Sequence, residues 1–199
     1  MVIVFTLAIP NKGRLKEPAL ELLKKIGLFI NESRNLFYRV NGSNIEIVFL
    51  SAKDIPQFIE AGTVDLGITG YDVWQESGAV LKELLDLKFG GCDLVIAGLQ
   101  GFSYNGSKVK VATSFPNLSR LYFSRCGVDA EFLNVSGAEE ALPKFGIADL
   151  VVILRNTGRT IAENNLAVYG KILESSARLL CAKKRPELLK FAKKLEAVL

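Results

Sequence analysis

Histidine is absent from all 199 residues. That gap excludes Ser-His-Asp and Cys-His nucleophilic catalysis, His-Glu-x-x-His metal centres and imidazole acid–base work. Chemistry must rest on carboxylates, lysine, arginine, backbone dipoles and at most a loosely held Mg2+. Cysteine is scarce as well. Cys92, Cys126 and Cys181 are widely spaced in apolar or small-residue contexts, which fits neither a zinc pattern nor a disulfide framework. They read as buried, reduced thiols of a cytosolic protein. No apolar run approaches the ~20 residues that span a bilayer, and the hydrophobic start Met1–Pro10 has no basic stretch before it. It reads as a first strand and not a signal peptide. Charge of one sign is also lacking: the net value of +4 is too modest to argue for nucleic acid. The basic run Lys183–Lys194 reads as a solvated helix face or, less readily, as a surface for an acidic partner.

What is present is a chain rich enough in apolar residues (49%, against 23% charged) to bury a substantial core. Strand-like and helical patterns alternate, which predicts an α/β fold with mixed, mainly parallel sheets. Leu15, Ala19, Leu22, Leu23 and Ile26 share one helical face, with Gly27 as its stop. Glu46–Leu50, Val64–Thr69, Val80–Leu87, Asp93–Leu99 and Val109–Thr113 read as strands, and short helices are expected over Asp54–Glu60 and Tyr71–Glu76. A last helix opens at Pro186 and buries Leu188, Phe191, Ala192, Leu195 and Leu199.

The densest chemical signal is Asn156-Thr157-Gly158-Arg159-Thr160, placed between an apolar strand (Leu150–Leu154) and a helical pattern from Ile161. Glycine lets backbone N–H groups approach an anion, the first helical turn leaves more of them unpaired, and two hydroxyls and a guanidinium flank the turn. It is neither Walker A nor Gly-x-Gly-x-x-Gly. The same residues also suit an ordinary helix N-cap by Thr157.

The chain echoes itself. Gly62 to Gly70 and Gly146 to Gly158 each run from glycine through an Asp-Leu strand start to a Thr-Gly turn; Leu7–Asn11 parallels Val111–Asn117. Two lobes are expected, residues 1–90 with 175–199 and residues 91–174, the second carrying the phosphate loop. Their strand carboxyl ends would meet at a central cleft, where ligands bind in open α/β sheets. Four loops would line it: Pro10–Arg14, Thr69–Asp72, Thr113–Asn117 and Asn156–Thr160. Lys12, Gly13 and Arg14 put two cations at a helix start, where the helix dipole disfavours them unless an anion joins. Thr113, Ser114 and Asn117, with Arg120, offer further donors. Asp65 and Asp149, at strand starts, suit a turn role as well as a site role.

These motifs, taken in order, resemble the short form of ATP phosphoribosyltransferase almost end to end. The resemblance rests on Lys12-Gly13-Arg14-Leu15, Asp65 to Gly70, Gly90-Gly91-Cys92, Ala112 to Asn117, and Gly146 through Asn165. It implies a two-lobed fold like type II periplasmic binding proteins, a requirement for Mg2+, and a partner subunit similar to histidyl-tRNA synthetase, usually in a hetero-octamer. It implies a cytoplasmic enzyme joining adenine N1 of ATP to phosphoribosyl pyrophosphate at the first step of histidine biosynthesis. Asn156 to Thr160 would take the 5-phosphate, with Asp149 and the Thr113–Asn117 loop as further substrate contacts. Lys12 and Arg14 would meet pyrophosphate or ATP phosphates, and Arg34 the nucleotide or leaving group.

Two positions depart from the family pattern. Ile153 stands where an acid commonly serves the ribose hydroxyls, and Ser51 where arginine is frequent, although Lys53 is close by. The surviving acid nearest to Ile153, Asp149, lies at the other end of the strand. The chief rival is a two-lobed nucleotide- or solute-binding protein without turnover; a purely structural subunit is another.

Overall fold

The computed structural model describes residues 5–30, 35–40 and 43–199. In chain order the elements are β1 (Phe5–Pro10), α1 (Lys16–Lys25), β2 (Phe37–Arg39), β3 (Ile45–Leu50), α2 (Ile55–Glu60), β4 (Leu66–Gly70), α3 (Tyr71–Ser77), β5 (Lys82–Asp86), β6 (Cys92–Leu99), β7 (Val109–Thr113), α4 (Pro116–Arg125), β8 (Ala130–Asn134), a 3-10 turn (Glu139–Ala141), β9 (Leu150–Arg155), α5 (Arg159–Glu163), β10 (Leu166–Ser175), β11 (Ala177–Cys181) and α6 (Pro186–Glu196). They form two compact units, Met1–Gly90 with Ser176–Leu199 and Gly91–Ser175.

The first unit holds a six-stranded sheet in the order β2-β3-β1-β4-β11-β5. Alternation along β1 explains its two faces. Phe5, Leu7 and Ile9 join α1 and α6 in one core through Leu22, Leu23, Leu188, Phe191 and Leu195. Ala8 points the other way, into a cluster with Ile55 and Ile59 of α2. α1 ends as its spacing predicts: the Gly27 N–H donates to Lys24 O at 3.0 Å and the Leu28 N–H to Leu23 O at 3.0 Å, which satisfies two carbonyls of the last turn. In α6 the apolar face is buried as expected through Leu195, but Leu199 lies past the helix end and is half exposed.

Every residue of β4 is buried, and Gly67 shows how tightly. A Cβ there would fall 2.4 Å from Ile55 Cγ2 and 2.7 Å from Ile59 Cδ1. The helix α2 can lie on the sheet only because this position has no side chain. Gly67→Ala should therefore destabilise the protein by about 1–3 kcal/mol through overpacking, read as a lower midpoint of urea unfolding with an unchanged slope.

The second unit holds a five-stranded sheet, β10-β6-β9-β7-β8. One face packs on α4 through Phe115, Phe123, Val111 and Val152. The other gathers Val95, Ala97, Val151, Ile153, Ile161 and Leu166 around α5.

Both sheets are mixed, which refines the expectation of mainly parallel pairing. β1–β3, β1–β4, β7–β8 and β7–β9 are parallel. β2–β3, β4–β11, β5–β11, β6–β9 and β6–β10 are antiparallel. The parallel strands are those joined by helical crossovers. The antiparallel ones include β10 and β11, a nearly continuous stretch broken at Ser176, which serves one sheet and then the other.

The internal echo has a geometric counterpart. The Asp65 N–H donates to Thr6 O at 3.1 Å, while the Thr6 N–H donates to the Asp65 carboxylate at 2.8 Å. In the second unit the Asp149 N–H donates to Lys110 O at 2.9 Å and the Lys110 N–H to the Asp149 carboxylate at 2.8 Å. Each Asp thus seals the start of a central parallel strand against its neighbour.

Candidate functional site

In the first unit the chain leaves β1 at its carboxyl end, and the Asn11 N–H donates to Leu50 O at 2.8 Å, tying the loop to β3. The two cations of this loop then part company. Lys12 is exposed. Arg14 turns inward: its Nη2 donates to Asp72 Oδ1 at 2.8 Å and its Nε to Gly90 O at 3.0 Å. Asp72 is fully buried in the first turn of α3. The anion that a cation at a helix start requires is therefore, for Arg14, a carboxylate of the protein. The two bonds brace the loop that presents Lys12 and Gly13. α1 begins with no side-chain hydrogen bond to its cap, so the amides of its first turn are not claimed by a capping side chain. The Thr69 hydroxyl donates to Ala52 O at 2.9 Å, which pins the loop after β3 where Ser51 and Lys53 lie. Arg34 falls outside the described residues.

In the second unit the Asn156–Thr160 turn follows β9 directly. Gly158, at φ 77°, is the N-cap of α5 and no side chain caps the helix. The capping role considered for Thr157 is thereby overturned: the left-handed glycine makes the turn, and the hydroxyl is not spent on it. Asn156, Thr157, Arg159 and Thr160 are exposed. Ile161 anchors the turn from below by packing in the same cluster as Ile153 and Leu166. That packing also explains Ile153, since an apolar side chain holds α5 to the sheet at this point.

β7 runs beside β9 with Thr113 in register with Val152, so the loops following both strands lie at the same end of the sheet. Thr113, however, is fully buried, and its hydroxyl is engaged. It donates to Val152 O at 3.3 Å and accepts the Phe115 N–H at 2.9 Å, with the Ser119 hydroxyl donating to it at 3.3 Å. Thr113 thus holds the turn after β7 through its own hydroxyl. Ser114 is half-buried beside it, and Asn117 lies exposed in the first turn of α4. Asp149 is placed differently. It stands before β9, six strand residues from the turn, about 20 Å at strand rise, and its carboxylate serves Lys110. Asp149→Ala should cost about 1 kcal/mol of stability while leaving donor affinity unchanged; thermal unfolding and a substrate titration separate the two effects.

One constellation escapes a reading of the sequence. Arg155, the last residue of β9, donates from Nη2 to Asp93 Oδ2 at 2.5 Å, across the β6–β9 pairing. Lys171 Nζ lies 3.7 Å from Asp93 Oδ1 and also pairs with Glu174. The Arg155 hydrogen bond, with Lys171 nearby, holds the Asp93 carboxyl below its ordinary range. Arg155 and Asp93 are 62 positions apart in the chain, so only the strand order joins them. The thiols also differ from expectation. Cys92 and Cys181 are buried, and burial pushes the Cys181 thiol up, but Cys126 is exposed because it caps the end of α4.

No helix among the described residues is long and apolar enough to cross a membrane. A model of the ATP phosphoribosyltransferase family (HisG) matches residues 51–198. ATP phosphoribosyltransferase of Methanopyrus kandleri is 46% identical over 183 residues, which cover 89% of this chain and 65% of that protein. The Methanosarcina acetivorans enzyme of the same name is 40% identical over 89% of this chain and 64% of its own length. The chain thus spans about two thirds of these curated relatives. Among solved structures, a chain of the ATP phosphoribosyl transferase (HisG:HisZ) complex from Thermotoga maritima superposes with a TM-score of 0.88 at 28% identity, covering 98% of both chains. ArgBP from T. maritima, in its P235GK mutant form, shares the fold alone, at 17% identity and a TM-score of 0.59. With three quarters of its length matched by the family's own pattern and its fold superposing on a member throughout, the chain belongs to the ATP phosphoribosyltransferase family.

Proposed function

We propose that this chain catalyses attack of adenine N1 of ATP on the anomeric carbon of phosphoribosyl pyrophosphate. The N1–C1 bond forms, the C1–oxygen bond to pyrophosphate breaks, and the products are N1-(5-phosphoribosyl)-ATP and pyrophosphate, at the first step of histidine biosynthesis. The observation that carries this reading is the turn at Gly158: a left-handed glycine, an α5 without a side-chain cap, and exposed Thr157, Arg159 and Thr160 around it. Such a turn suits a phosphate monoester, and the ribose 5-phosphate is the end of the donor that remains bound throughout the reaction.

The lack of histidine fits this chemistry. Ring N1 already carries a lone pair, so no base is needed to create the nucleophile. What the protein must supply is alignment of two polyanions and stabilisation of the departing charge. Lys12, presented by the braced loop after β1, is assigned to pyrophosphate or ATP phosphates, with Gly13 allowing close approach. Among the described residues no group of three or more acidic, Cys or His side chains gathers in a way that could hold a metal. Mg2+ is assigned to the phosphates of the substrates, its common mode of entry.

A cytoplasmic setting and a regulatory subunit similar to histidyl-tRNA synthetase, in a hetero-octamer, belong to the same proposal. Its support is the full-length superposition on a chain from a HisG:HisZ complex. The rival reading, binding without turnover, is favoured by Ile153, whose burial leaves no carboxylate at that strand position for ribose hydroxyls. The deciding experiment is release of pyrophosphate from ATP, phosphoribosyl pyrophosphate and Mg2+, with and without the second subunit. Release in either mixture supports the transferase. Donor binding without release in both would establish the rival.

A further inference from the structure

The Gly158 turn contains one guanidinium, Arg159, but a second stands at its entrance. We propose that Arg155 is a further phosphate-binding residue of the donor loop and that Asp93 is its positioning residue. This rests on the transferase reading and adds to it a contact outside the Asn156–Thr160 motif.

The argument begins with alternation along β9. Val151 and Ile153 face the cluster that holds Ile161 of α5, and Arg155 is the next residue of that series. Its side chain therefore leaves the sheet on the α5 side, one residue before the turn begins. Strand register does the rest. Asp93 is the cross-strand partner of Arg155, and the 2.5 Å bond fixes one nitrogen of the guanidinium. A guanidinium has five N–H donors in a rigid fork. Holding one arm on a carboxylate therefore orients the remaining donors without consuming them.

Stability alone is a poor explanation for this pair. Arg155 and Asp93 side chains keep 38% and 23% of their surface, and ion pairs of such exposure contribute about 0–1 kcal/mol. Orientation is what the arrangement does well, because a long side chain held in one rotamer loses less entropy when an anion arrives. Lys171, 3.7 Å from the other Asp93 oxygen, offsets the carboxylate charge. Arg155 thus keeps a positive field towards a phosphate.

The test uses the full chain, with the second subunit present where turnover requires it. Arg155→Ala should raise the KM for phosphoribosyl pyrophosphate about tenfold, as loss of a charge-assisted bond implies, with the KM for ATP unchanged. Affinity for ribose 5-phosphate, measured by calorimetry without turnover, should fall in parallel. Arg155→Lys should recover only part of it. Asp93→Asn should give a smaller rise in the same KM and should add nothing in the Arg155→Ala background. If Arg155→Ala lowers the melting temperature yet leaves both donor measurements at wild-type values, the pair is structural and the proposal is wrong, while the transferase reading stands. If the wild-type chain neither binds ribose 5-phosphate nor releases pyrophosphate, the functional reading itself falls, and this assignment with it.

Discussion

Gly158→Val is expected to raise the KM for phosphoribosyl pyrophosphate by one to two orders of magnitude while the melting temperature changes by only a few degrees. Gly158 sits at φ 77°, and nothing lies within 4 Å of where its Cβ would be. The substitution therefore creates no clash. Its cost is confined to the backbone, about 1–2 kcal/mol for an L side chain in the left-handed region. The easiest relief is for the turn to leave that region, which swings the first amides of α5 away from their common focus. Arg159→Ala tests the same loop by another route. It removes a charge without touching the backbone, and a lost hydrogen bond to a charged group costs about 1.5–3 kcal/mol, a factor of roughly 10 to 150 in affinity. Steady-state kinetics with varied donor, read alongside thermal unfolding, check both. Wild-type donor affinity in the two variants together would remove the turn from the site.

The second large effect concerns Arg14, and here stability should suffer. Arg14→Ala leaves the Asp72 carboxylate in a fully buried place without its guanidinium. Breaking a buried pair from one side costs about 3–5 kcal/mol; Arg14 itself retains 26% of its surface, so the low end applies. At about 2–4 °C per kcal/mol for a chain of this size, the melting temperature should drop by roughly 6–12 °C. Arg14→Lys should rescue little, because an ammonium cannot reproduce a fork that serves Asp72 and the Gly90 carbonyl at once. Lys12→Ala is the contrast. Lys12 is exposed, so its loss should slow turnover and leave unfolding nearly unchanged. A pair of variants two residues apart with opposite signatures would separate the brace from the ligand. Equal loss of stability in both would make Lys12 structural too.

Much of the local architecture is legible because helices and strands write their periods into a few consecutive residues. The stripe from Leu15 to Ile26, the Pro186 start of α6 and the apolar run of β9 need no distant information. The same holds for the Asn-Thr-Gly-Arg-Thr turn, since a strand, a glycine and a helix start are neighbours in the chain. The roles of single polar residues are not legible in this way. Thr113 looks like a ligand and is a buried turn hydroxyl. Asp149 looks like a surviving site acid and is a strand clamp. Thr157 suits a cap as well as a phosphate contact, and Gly158 is the N-cap of α5. In each case the residue type was right for two jobs, and only its surroundings could choose.

By itself the sequence determined the chemistry available to this protein: no imidazole, a phosphate-suited turn, and two α/β units with similar patterns. These are properties of composition and of residues close in the chain. The tertiary structure alone decided which charges meet. Arg14 meets Asp72 across 58 positions and Arg155 meets Asp93 across 62, because strand order and register carry them together. An ion pair formed over such a distance leaves no periodic trace, since its existence depends on how the sheets assemble and not on any neighbour in the chain.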